Sequence, residues 1–235
     1  MISFDEWVTV MRKDERKYSE SLLFATLLTL AGGLQDAYSY AARGQVFVNA
    51  LTGNVVLLGL SFVSGDFYLI FRYLRQIIAF ALGVYVSGRI IFSRRHFFGI
   101  HWRRFILLGE GAALVIVGFL PHTYDALANF LMATACGIQV NTFQKFADIN
   151  FATTMCVGNV RTIMHNLAGY HHNRRSIHKH KSRTVFYIVF VFLVGASLGG
   201  FFLPIIGLRT IWISALFLFL AFVLLRFEEE EEEES

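Results

Sequence analysis

Asp36 is an acid in an otherwise apolar stretch, preceded by Gln35 and the pair Gly32-Gly33. A carboxyl at membrane depth is costly, and the residues that survive there carry protons, bind cations or pair with bases. The bases that the sequence offers it are Lys145 and Arg161. A structural reading stands beside this one, in which Asp36 is a polar cap at a helix break. Further along, Thr52-Gly53-Asn54 reads as a helix start. Thr52 or Asn54 would cap it, and Gly53 permits close backbone approach. Such an end presents free N–H groups and the positive end of a dipole, which suit an anionic group. Gly158-Asn159 offers the same chemistry again, with Arg161 beside it, and points to an anion or a carboxylate-bearing solute. The candidate set for substrate binding or coupling is Gln35, Asp36, Thr52, Gly53, Asn54, Gln139, Asn141, Gly158, Asn159 and Arg161.

These residues recur in order. Gly33 to Phe47 is 14 positions, and so is Gly137 to Phe151; Gly-Asn-Val follows one residue later in the second copy. Gln35 is matched by Gln139, whereas Asp36 is matched by Val140. The spacing reads as an internal duplication. Two further segments agree: Gly83 and Gly88 are spaced as Gly195 and Gly200 are, with small-residue faces at Ala79, Gly83 and Ser87 and at Gly195 and Gly199. Such faces let helices approach closely in lipid, within one chain or between copies in a homo-oligomer.

The elements that must position these residues are membrane helices. The 235-residue chain is 55% hydrophobic and only 16% charged, with a mean hydropathy of +0.53, and several apolar runs approach the length that crosses a bilayer. Cys136 and Cys156 form no disulfide or metal pattern. Met1 to Glu20 reads as a cytoplasmic lead with no removable signal peptide. Eight segments follow: a from Ser21 to Tyr40, broken near Gly32-Gly33; b from Val46 to Val63; c from Tyr73 to Phe92; and d from Phe105 to Leu120. Their copies are a′ from Ala126 to Phe146, b′ from Thr153 to Ala168, c′ from Val185 to Leu203, closed by Pro204, and d′ from Thr210 to Phe227. The glutamate run from Glu228 is expected to be disordered.

Charge decides how the segments cross. Arg94, Arg95, Arg103 and Arg104 lie between c and d, and Arg174, Arg175, Lys179, Lys181 and Arg183 between b′ and c′. The positive-inside rule places both groups in the cytoplasm. This holds if b and b′ are short or re-entrant. The expected fold is therefore an all-α integral membrane protein, with six transmembrane helices and two re-entrant ones, in two pseudo-symmetric, inverted halves over about residues 21–120 and 126–227. Both termini would be cytoplasmic. A seven-span alternative, in which only b crosses, leaves Arg12, Lys13, Arg16 and Lys17 outside.

Other constellations point elsewhere. Glu110 stands near Arg103 and Arg104 and reads as half of an interfacial ion pair, with a proton carrier as the other reading. His171, His172, His178 and His180 sit among bases that would repel a metal ion, so a lipid-facing basic loop is expected there. No nucleophile set, nucleotide-binding loop or metal-protease motif is present, so neither an enzyme nor a cofactor is expected, and no nucleic-acid partner. The partners expected are the lipid bilayer and a small solute.

The segment from Gly32 to Leu60 resembles the YoaK-type family of small bacterial inner-membrane proteins. Asp36-Ala37-Tyr38-Ser39-Tyr40, Gly44, Phe47, Asn49, Thr52-Gly53-Asn54 and Leu58-Gly59 carry the likeness. It implies a multi-pass protein of the bacterial inner membrane and supplies no substrate. Inverted halves with interrupted helices at matching places are a pattern of secondary transporters. A transporter or permease for a small, anionic solute is one expectation; a non-transporting assembly or sensor module is the other.

Overall fold

The computed structural model describes residues 21–93, 102–143, 145–146, 149–150, 153–154 and 156–234, with side chains described outside 145–150 and 226–234. The lead through Glu20, Arg94 and Arg95 lie outside them. Among the described residues there are eight α-helices: α1 (Leu22–Ala42), α2 (Leu51–Ser64), α3 (Phe67–Ser93), α4 (Trp102–Phe119), α5 (Asp125–Thr142), α6 (Cys156–Asn173), α7 (Ser176–Ile206) and α8 (Ile211–Glu234). A two-residue antiparallel ladder, Lys145–Phe146 with Ile149–Asn150, lies between α5 and α6.

Each helix has a local cause. Ser21 caps α1, its side chain accepting the Phe24 amide at 3.1 Å. Gly65, at φ 68°, ends α2 in the left-handed conformation that glycine adopts without strain. Three expectations are corrected here. First, α1 and α5 run unbroken through Gly32-Gly33 and Gly137, because a helix tolerates glycine when its bare backbone is packed against a neighbour. Second, Pro204 lies inside α7, which ends at Gly207. Third, α8 continues through the glutamate run to Glu234.

Packing directions follow from residue pairs. A side chain at Gly33 would strike the Phe192 carbonyl and the Ala196 amide, and one at Gly195 the Leu30 carbonyl; Gly199 meets Leu34. The pairs advance together, so α1 and α7 are parallel. Gly83 meets Thr134 and Ile138, Gly137 meets Phe80 and Val84, and Asn141 donates to Ser87 at 3.0 Å, so α3 and α5 are parallel. The faces that might have joined two copies are thus filled within one chain. Trp212 donates to the Val115 carbonyl at 3.1 Å while Arg104 lies over Phe222, so α4 and α8 are antiparallel. Tyr38 reaches the Leu208 carbonyl and Gln35 reaches Ser214, which sets α1 against α8. With α4 likewise antiparallel to α5, helices α1, α4 and α7 run one way and α3, α5 and α8 the other. The helices on either side of segment b, α1 and α3, thus run oppositely.

Among the described residues the exterior is apolar, and polar groups lie buried alongside the apolar core. Gln35, Asp36, Asn49, Glu110, Asn129 and Gln139 are buried, while Phe71, Phe92, Phe119, Phe186, Phe201 and Phe219 are exposed. Water would punish that arrangement and a bilayer supports it.

Candidate functional site: a folded-back loop and a buried polar layer

Beyond Ala42 the chain turns back on itself. Gly44 and Gln45 both have positive φ, 92° and 59°, a conformation that suits glycine. The segment 46–49 then returns alongside α1. Asp36 Oδ1 accepts the amides of Val48 at 2.9 Å and Asn49 at 2.8 Å, with the Ala50 amide facing the same carboxyl. Asn49 Nδ2 donates to the Gly32 carbonyl at 3.0 Å, and its Oδ1 meets the Cys136 thiol on α5. Asp36 lies seven residues before Arg43, or about 10 Å along the helix. Helix α2 therefore starts deep in the bundle. It ends where it came from, because Arg72 on α3 donates to the Gly44 carbonyl at 2.9 Å. Residues 46–49 and α2 thus form a hairpin that folds back toward Gly44.

Asn54 closes the fold-back. Its Oδ1 accepts the Phe47 amide at 3.0 Å and its Nδ2 donates to the Phe47 carbonyl at 2.5 Å. The Phe47 ring lies on Gly53, where a side chain would crowd it, and stacks on Tyr40. The expected side-chain cap at Thr52 is absent: Ala50 occupies the cap position and Thr52 is exposed. Asp36 instead pins the segment just before the helix, its carboxylate holding the amides of Val48 and Asn49 and facing that of Ala50. Its contacts are with the amides of the returning loop, at no break in α1, and among the described residues no base pairs with it. Lys145 has no described side chain, and Arg161 is exposed on α6.

The second copy behaves differently. Thr153 and Thr154 are buried just before α6, and the Thr154 methyl lies where a side chain at Gly32 would go. Asn159 is buried, while Gly158 is exposed with open space around it. Asn141 is turned toward Ser87 on α3. Helix α6 leads back to α7 through Asn166, which meets His178 at 3.1 Å, and Ser182, which donates to the Ile163 carbonyl. The basic stretch is mostly helical, with α6 and α7 separated only by Arg174 and Arg175. His171, His172 and His180 are exposed on it. No cluster of three metal-ligating side chains occurs among the described residues.

A polar layer lies where α1 and α8 face α4 and α5. Gln35 Nε2 donates to Ser214 at 3.0 Å, and Ser214 donates to the Ala31 carbonyl at 3.2 Å. Gln139 faces Glu110 on α4; with its amide turned so that nitrogen points to the acid, Nε2 lies 2.5 Å from Oε1 and 3.0 Å from Oε2. Glu110 is 3% exposed. Its expected role in an interfacial ion pair is corrected: it lies two turns inside α4, at the level of the two glutamines.

Arg43 escaped the sequence reading. It is 1% exposed and donates to Asp125 at 2.7 Å, to the Val117 and Leu120 carbonyls at 2.8 Å each, and to the Tyr38 hydroxyl at 3.0 Å. It neutralises the carbonyl end of α4 and ties it to the start of α5.

A helical body with a hydrogen-bonded polar interior, an apolar exterior and two stretches (Phe67–Ser93 and Ser176–Leu225) apolar and long enough to cross a bilayer is a membrane protein. The chain belongs to the family described as "Protein of unknown function (DUF1275)", whose model matches residues 24–224. It is similar to the UPF0700 transmembrane protein YoaK of Bacillus subtilis (strain 168), being 24% identical over 163 residues, 65% of this chain and 68% of that protein. The resemblance carried by Gly32 to Leu60 is borne out by these two matches. No solved structure matches the chain.

Proposed function

We propose that the protein is a secondary transporter or permease for a small solute, built of two inverted halves of three membrane spans each, with α2 and α6 re-entrant. One observation carries this reading: exchanging the halves maps the contacts onto themselves. Gly33 on Phe192 and Ala196 becomes Gly137 on Phe80 and Val84; Gly195 on Leu30 becomes Gly83 on Thr134; Gln35 with Ser214 becomes Gln139 with Glu110. Chance similarity of two glycine-rich segments would not reproduce crossings residue by residue. The exchange divides the helices into two groups, α1 with α6, α7 and α8, and α5 with α2, α3 and α4. They meet along α4 and α8 and across the polar layer. Rocking of one group on the other would expose that layer to each side in turn.

The asymmetry of the halves bears on the solute. Asp36 holds the amides just before α2, whereas Val140 stands at the matching place before α6. A carboxylate or similar anion of the solute would take at α6 the place that Asp36 takes at α2. With both basic groups in the cytoplasm, the α2 hairpin enters from outside and the α6 hairpin from inside, in the inner membrane of a bacterium. The test is uptake of a panel of radiolabelled small organic acids into proteoliposomes. Transport that saturates, and is lost on Asn159→Leu, is the expected result. An absence of flux across the panel, with growth phenotypes dependent on Arg174 to Lys181, would favour an assembly or sensor module that acts through its exposed basic hairpin.

A further inference from the structure

Glu110 is the one feature of the polar layer that neither capping nor packing explains. Asp36 has three amides to hold, and Arg43 has carbonyls and Asp125. Glu110 is buried at the level where the two groups of helices meet, and the matching position in the other half is the uncharged Ser214. Two glutamines related by the repeat converge on it, Gln139 from α5 and Gln35 from α1. Gln35 Oε1 is buried and accepts no hydrogen bond, although its Nε2 is used on Ser214. A buried acceptor left without a donor is uncommon and asks for a proton or a water.

The Gln139 amide has two orientations against the acid. With nitrogen toward Glu110, an ionised carboxylate is satisfied by two N–H contacts. With oxygen toward Glu110, acceptor would face acceptor, and only a proton on the carboxyl makes the contact a hydrogen bond. Each state of the acid thus has an orientation of Gln139 that satisfies it, and switching between them requires only turning that amide.

We propose that Glu110 is the proton-binding residue of this membrane domain, taking up one proton from water on one side and returning it on the other, with Gln139 as its two-state partner and Gln35 beside it. The inference rests on the transporter reading for its purpose, and names its coupling ion as the proton. The neighbouring groups are few. Cys136 on α5 lies within electrostatic reach of both Glu110 and Asp36; Ser214 faces the layer from α8; Arg103 and Arg104 lie two turns earlier on the same helix. Arg43 and Asp125 are engaged with each other at the opposite end of α4.

The experiment is a pH titration by infrared difference spectroscopy of the purified full-length protein in lipid nanodiscs, with no solute added. A carbonyl stretch of a protonated carboxyl that appears and disappears with pH is expected. It should be lost in Glu110→Gln and kept in Asp36→Asn. Gln139→Leu, which leaves the acid in place, should shift the midpoint of the same band. A band unchanged in Glu110→Gln, or a Gln139→Leu titration identical to wild type, would overturn the proposal. The readout is independent of whether any solute moves. A titrating Glu110 in a protein that transports nothing keeps the proton site and sinks the transporter reading; solute flux without that band does the reverse.

Discussion

Asp36 accepts the amide of Asn49 at 2.8 Å, thirteen residues ahead in the chain. A carboxylate in the fourth turn of α1 thereby holds the returning segment that leads into α2. Removing it leaves two buried amides without an acceptor, at about 1–3 kcal/mol each. In Asp36→Ala the fold-back should loosen, and a cysteine placed at Val48, which is 1% exposed in the wild type, should change from protected to reactive toward a small maleimide. Continued protection would show that the segment 46–49 is held by something else.

Arg43 should be the least replaceable base in the described chain. Arg43→Met strands Asp125 and the Val117 and Leu120 carbonyls at the end of α4, an expected loss of about 3–5 kcal/mol. Arg43→Lys keeps the charge but not the fork and should recover only part of it. Thermal unfolding of detergent-solubilised variants, followed by size-exclusion fluorescence, checks the order wild type, Lys, Met.

Gly33 and Gly137 should respond alike. Each lies against the carbonyl and amide of a crossing helix, so alanine at either should destabilise by about 1–3 kcal/mol. Alanine at Gly59 or Gly200, which have open space around them, should be silent. Unequal losses at Gly33 and Gly137 on the same melting assay would argue against equivalent crossings.

The fold was largely legible, and the reasons are physical. Helix lengths, the repeat of Gly-Gln-Gly-Asn and the basic groups required opposite directions for α1 and α3, and their neighbours show that relation. What the sequence hid was reach. Gly32-Gly33 looked like a break because glycine is permissive, yet its neighbours on α7 use that bareness for contact. The true reversal lies at Gly44-Gln45, where the backbone takes positive φ. Asn54 was read as a cap for its own helix and instead clasps Phe47. Arg43 stands beside a glycine turn and reads as a loop residue; nothing in local spacing says that it reaches the end of α4. Glu110 was assigned by proximity in sequence to Arg103 and Arg104, although two helical turns separate them in depth. One available signal pointed correctly: Glu110 and Ser214 share the offset that relates Gln35 to Gln139.

The most direct test of the inverted architecture is sidedness. Single cysteines at Gln45, Asp66, Tyr124 and His172, all exposed, would be introduced into a chain lacking Cys136 and Cys156. They would be labelled in intact cells with an impermeant maleimide. Labelling at Gln45, Asp66 and Tyr124 from outside, with His172 reached only after permeabilisation, is the expected result, since α2 enters and leaves on one face. Gln45 and Asp66 on opposite sides of the membrane would mean that α2 crosses, and the inverted halves would be contradicted.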